Sequence, residues 1–224
     1  MRRRTAILLI VLALIGTGIT ILRVFFIRGA YIPTGSMANT IIPGDTLLMT
    51  KAFGKIERGA AIILFQYSPE YIRPERREHD PFGYRIARVV GLPGETIQMR
   101  SRTVYINGHA LGEQKVLARD VDPSEPLQVI STEGSGPYRV FYTTRMNEDE
   151  SALVNDVPFA GEEPFQIPKD SYFVMGDNRD NTEDSRYRGP VPRNLIWGNV
   201  ALIVYSTTVK TDELRWDRMF KTVH

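Results

Sequence analysis

The uncharged run from Thr5 to Leu22, TAILLIVLALIGTGITIL, constrains this chain more than any other feature. As a helix rising about 1.5 Å per residue, its 18 residues reach roughly 27 Å, close to a bilayer hydrocarbon core of about 30 Å. Arg2, Arg3 and Arg4 precede the run, and Arg23 and Arg28 follow it. A cleaved signal peptide also begins with basic residues and an apolar stretch. This run, however, exceeds the usual signal core of roughly 7–15 residues, and no small-x-small site closes it. The sequence therefore favours a retained transmembrane anchor at 5–22. The modest excess of arginine on its leading side puts residues 1–4 in the cytoplasm and everything beyond about residue 30 outside it. Segment 23–32, RVFFIRGAYI, mixes Phe25, Phe26 and Tyr31 with arginines, as interfacial segments do. The lipid of the cytoplasmic membrane is thus the first expected partner.

Composition removes several classes of function. A net charge of +2 over 224 residues is too small to make nucleic acid the main partner. Without cysteine there are neither disulfides nor thiolate metal sites. His79, His109 and His224 lie far apart and match no ligand spacing, so neither a metal nor a cofactor is expected.

Beyond the anchor the pattern is mostly β. Ala60–Phe65, Ile86–Val90, Thr103–Ile106, Ser171–Met175 and Asn199–Tyr205 are short apolar or β-branched runs bounded by Gly, Pro or Asn. Asn107-Gly108 predicts a two-residue hairpin, and Leu92-Pro93-Gly94-Glu95 a turn. The Pro-rich, charged stretch Gln66–Tyr84 reads as a solvated loop. These breaks divide the chain into two parts of one β core, 33–112 and 164–208. Between them lies an inserted sub-domain or set of long loops at 113–163, and a tail at 209–224 follows. In the tail, DELRWDRMF predicts either a short amphipathic helix or packing through Trp216, Met219 and Phe220.

Four stretches, read in order, carry chemistry. They are PTGSMANTIIPGD (Pro33–Asp45), RGAAIILF (Arg58–Phe65), RIARVVGLPGE (Arg85–Glu95) and MGDNRDNTEDSRYRGPVP (Met175–Pro192). Alone, a serine in a glycine-containing loop usually shapes a turn. Together, the four resemble the type I (leader) signal peptidases, membrane-anchored serine proteases that remove signal peptides from exported preproteins. That resemblance implies a signal-peptidase-like β-barrel or sheet core and preproteins as partners, cut after small residues at the first and third positions before the bond. It also implies roles for single residues. Ser36 matches the nucleophile, and its N–H and the Thr34 hydroxyl match the oxyanion hole. Met37 packs beside the site, and Thr182 matches a hydroxyl that orients the base. Asp184 and Arg186 match a charged pair that holds the site together. Gly176, Asp177 and Asn178 form a supporting turn.

One part is missing. The family's bacterial members use a lysine in a segment reading roughly Lys-Arg-Val-Val-Gly-Leu-Pro-Gly, and here Ala87 stands at the lysine position. A buried amine can have its pKa lowered enough to take a serine proton; a methyl group cannot take one. Arg88 has no acceptor, Lys51 and Lys55 lie off the matching strand, and His79 sits in the charged loop. A second departure is Ala60, where the family commonly has aspartate. Three readings follow: a signal peptidase whose lysine has been exchanged for alanine, a natural non-catalytic homologue that binds preproteins or a membrane partner, and an enzyme using another base.

Overall fold

In a computed structural model the described residues are 2–25, 27–51, 54–65, 84–119, 122, 124–143, 157–161 and 163–223. Most of the charged loop, His79 included, lies outside them, as does the acidic NEDES stretch. The chain opens with the helix Arg2–Phe25, which leads into the strand Ile27–Tyr31. Among the described residues no helix is long and apolar enough to cross a membrane.

The mostly β reading holds. Among the described residues the largest sheet has eight strands, ordered Ile27–Tyr31, Asp45–Lys51, Ile196–Ser206, Ala61–Phe65, Tyr84–Gly91, Ser171–Met175 and Val191–Pro192, with Lys221–Thr222 added beside Ile196–Ser206. Every pairing within it is antiparallel. Both faces are buried, and the strand Tyr84–Gly91 shows why. Period-two alternation sends neighbouring side chains to opposite faces. Ile86 packs with Met37, Ala61 and Ile63, whereas Ala87 and Val89 pack with Ile62, Leu64, Tyr172 and Val174. A second sheet, Phe165–Gln166, Thr96–Arg100, Thr103–Ile106 and His109–Ala110, carries the expected Asn107-Gly108 hairpin, with Ile106 opposite His109. His109 itself is exposed on this hairpin.

Within 113–163 the described residues of 114–143 form a third sheet, in which Arg139–Thr143 pairs with Gln114–Arg119 and that strand with Gln128–Glu133. It is no detached module. Val116, Ala118, Leu127 and Phe141 close over Ala38 and Ile42, so the segment after Ser36 is sandwiched. Met37 and Ile41 face the large sheet, and Ala38 and Ile42 face the small one. The tail corrects its sequence reading. It makes a single 3-10 turn, Trp216–Arg218. Trp216 and Phe220 are 73% and 76% exposed, while the neighbouring Arg215 and Arg218 are buried.

Candidate active site

The Ser36 loop meets the Gly176–Arg179 turn directly. Asn178 N–H donates to Ser36 O over 3.1 Å, and its side-chain Nδ2 donates to Gly35 O over 3.1 Å. Gly176 is where contact is tightest: a Cβ there would stand 2.6 Å from Ser36 O and 2.6 Å from Thr182 Oγ1. Real Cβ atoms do not approach so closely, so the fold requires glycine. Thr34 is exposed and Ser36 half-buried. Among the described residues neither hydroxyl, nor the Ser36 N–H, makes a hydrogen bond.

Ala87 lies on the strand Tyr84–Gly91, which pairs with Ser171–Met175, the strand that runs into Gly176. In that pairing Val174 faces Val89 and Met175 faces Arg88, and Ala87 faces Ile62 on its other side. The Ala87 methyl is buried among apolar side chains. Nothing on it can accept a proton.

Arg88 points to the other face and is fully committed. Its Nε and Nη2 reach the two Asp177 carboxylate oxygens at 2.7 and 2.6 Å, and its Nη1 reaches Gly59 O at 2.6 Å. Its guanidinium lies 4.5 Å from the Tyr138 ring centroid. The Thr40 hydroxyl donates to the same Asp177 carboxylate over 2.6 Å. Lys51 and Lys55 are exposed.

Asp184 and Arg186 form a buried pair rather than a surface bridge, with Nε 2.9 Å from Oδ1. Asp184 also accepts from Gly176 N–H at 3.0 Å and from Arg186 N–H at 3.1 Å, capping the one-turn helix Ser185–Arg188. Burial works to lower the Arg186 pKa, but the Asp184 charge and hydrogen bonds outweigh it, and the net shift is upward. One carboxylate thus fixes both the site turn and the helix behind it.

Two features escaped the sequence reading. Arg179 is wholly buried and pairs with Glu113, with its Nη1 3.0 Å from Oε2. Burial pulls its pKa down, and Glu113 more than reverses this. Above the pair, Tyr138 donates to Glu113 over 3.2 Å. Desolvation and the Glu113 charge both push the Tyr138 pKa upward. At the far end of the Ser36 loop, Arg218 reaches the Asp45 carboxylate at 2.7 Å and the carbonyl of Thr40 at 3.1 Å. Only the two tail arginines, Arg215 and Arg218, beside apolar residues hinted at such a role.

A family model described as "Signal peptidase, peptidase S26" matches residues 2–205. The chain belongs to this family. Among signal peptidase relatives, signal peptidase I of Pseudomonas aeruginosa is 30% identical over 199 residues, which cover 80% of this chain and 62% of that protein. The probable signal peptidase I-2 of Synechocystis is 28% identical over 180 residues, covering 79% of this chain and 62% of that one. Signal peptidase I of Rickettsia massiliae is 26% identical over 208 residues, covering 84% and 75%. The chain therefore spans less than two thirds of the first two relatives. A solved signal peptidase I from Enterococcus faecalis superposes with a TM-score of 0.36 at 22% identity, covering 66% of this chain and 98% of that one.

Proposed function

We propose that this chain is built as a membrane-anchored serine endopeptidase for exported preproteins that carry signal peptides. Ser36 is its nucleophile, and alanine at position 87 leaves it nearly inactive. The observation that supports this reading is the meeting of Ser36, Thr182 and Gly176 at the end of the strand Ser171–Met175, which pairs with the strand that carries Ala87.

With an amine at position 87 the reaction runs in two halves. The amine takes the Ser36 proton while Oγ bonds to the scissile carbonyl carbon. The Ser36 N–H and the Thr34 hydroxyl receive the developing oxyanion. The carbon–nitrogen bond then breaks, and the proton passes to the leaving amine. Water attacks the acyl-enzyme by the same route in reverse, freeing Ser36. In this chain the methyl of Ala87 offers no lone pair, and Arg88 has none to offer either. Substrate binding is retained, and turnover is lost. The apolar run 5–22 serves as the anchor, with residues 1–4 inside and the site outside the cytoplasmic membrane.

The test is a preprotein-processing assay on membranes washed with alkaline carbonate, comparing the chain with Ala87→Lys. A general base contributes about 10²–10⁴-fold. A gain of that size, abolished by Ser36→Ala, is expected in the membrane pellet. Release of the chain into the wash would refute the anchor. An Ala87→Lys chain that binds preprotein without cutting it would leave the non-catalytic scaffold as the better reading. Cleavage by the unaltered chain would point to another base.

A further inference from the structure

We propose that Asn178 is a positioning residue that sets the direction of the Ser36 N–H, the backbone donor of the oxyanion hole. The inference rests on the serine-peptidase reading above and assigns to one side chain the pre-alignment which that reading needs.

The geometry is that of a single peptide unit. The Gly35 carbonyl and the Ser36 N–H share one planar group, and the bond between them is trans. In a trans peptide the C=O and N–H point in opposite directions. Asn178 Nδ2 holds Gly35 O at 3.1 Å, so the Ser36 N–H is turned away from the Asn178 amide. Among the described residues nothing occupies that N–H. The backbone N–H of Asn178 holds the next carbonyl, Ser36 O, at 3.1 Å. One residue thus pins the peptide units on both sides of Ser36.

This pinning matters because Gly35 has no Cβ to bias its peptide toward one orientation, so the choice must be imposed from outside. Asn178 is itself held firmly. It is 1% exposed, and it stands opposite Phe141 in an isolated parallel bridge. Phe141 N–H donates to Asp177 O over 2.7 Å, and Arg179 N–H donates to Phe141 O over 2.8 Å. The clamp is therefore mounted on the third sheet. Among the described residues the buried Asn178 Oδ1 has no hydrogen-bond partner, a standing cost that an apolar side chain would avoid. The donating half of the amide is what repays it.

The experiment has two arms on the full-length chain in lipid nanodiscs. In the first, the residual dipolar coupling of the Ser36 N–H is measured with and without Asn178→Ala. The coupling is expected to change while those of Ile41 and Ile42 hold. An unchanged Ser36 coupling overturns the proposal. In the second, peptide cleavage is compared between Ala87→Lys and Ala87→Lys with Asn178→Ala or Asn178→Asp, neither of which can donate an amide hydrogen to Gly35. Misdirecting one oxyanion donor should lower kcat about 10²-fold with KM within about twofold. A coupling that moves without any loss in kcat also overturns the proposal, as does a loss matched by a falling unfolding midpoint. If Ala87→Lys shows no cleavage in any background, the proposed function fails, and the coupling measurement alone still decides the role of Asn178.

Discussion

Residues 34–36 and residues 39–45 belong to one short segment, yet their polar groups are treated in opposite ways. At the front, the Thr34 and Ser36 hydroxyls and the Ser36 N–H have no hydrogen bond among the described residues. At the back, nearly everything is tied. Asn39 exchanges hydrogen bonds with Leu127 at 2.8 and 2.6 Å. Thr40 donates to Asp177. The Asp45 carboxylate collects Ile42 N–H, the Ser206 hydroxyl and Arg218. The loop is tied down at its back, and on the proposed reading this holds in place the front groups assigned to the chemistry. Such pre-alignment is what makes fixed donors worth more to a transition state than mobile water.

The comparison can be broken first at the back. Arg218→Met removes the cation from a pair in which Asp45 is fully buried, with Nη2 2.7 Å from Oδ2. Leaving a buried carboxylate without its counter-charge costs about 3–5 kcal/mol. Urea unfolding should show a loss near the lower figure, because Ser206 and Ile42 N–H still serve the carboxylate. A loss under about 1 kcal/mol would mean the back of the loop is not the firm mount described here.

The front should respond in rate rather than stability. Gly176→Ala forces a methyl against Ser36 O and Thr182 Oγ1, so the Ser36 loop must shift by a large part of an ångström. Displacements of that order cost about 10²-fold in rate. Cleavage by Ala87→Lys should fall by about that factor when Gly176→Ala is added. Unchanged kcat would show that the turn and Ser36 are less closely coupled than their contact suggests.

The smallest effect concerns the third sheet that braces both ends. Burial holds the Tyr138 and Tyr142 pKa values above the ordinary 10.0. A group whose pKa is raised on folding contributes stability that is complete below its unfolded pKa and lost as pH rises toward the folded one. Unfolding midpoints should therefore be flat from these two groups up to about pH 10 and decline above it. Tyr138→Phe should make the decline shallower. An identical slope would remove Tyr138 from this bracing role.

Much of the fold could be read locally. The strands at Ala61–Phe65, Thr103–Ile106 and Ser171–Met175, and the Asn107-Gly108 hairpin, follow from β-branched runs and turn residues. Their signals lie within a few neighbouring positions. Strands such as Gln128–Glu133, with most side chains exposed, carry no apolar pattern and were invisible. The Ser36 loop and the Gly176–Asn178 turn were recognisable because their residue types are specific. The buried state of the Asp184–Arg186 pair was not, since an aspartate two residues before an arginine reads the same on a surface as in a core. Nor could Trp216 and Arg218 be sorted correctly, because which of them faces inward depends on Asp45, far away in the chain.

By itself, the sequence determined the apolar N-terminal run, the β character, the family and the absence of an amine at position 87, because each is a property of residue type and near spacing. Only the tertiary structure decided that Ser36 meets Gly176 and Thr182, that Arg88 is spent on Asp177, that Asn178 and Arg218 brace the loop, and that Glu113 holds Arg179 of the facing turn. Those outcomes depend on which distant side chains share a buried, low-dielectric space, and the cost of leaving a buried polar group unpaired is settled only when the chain has closed around it.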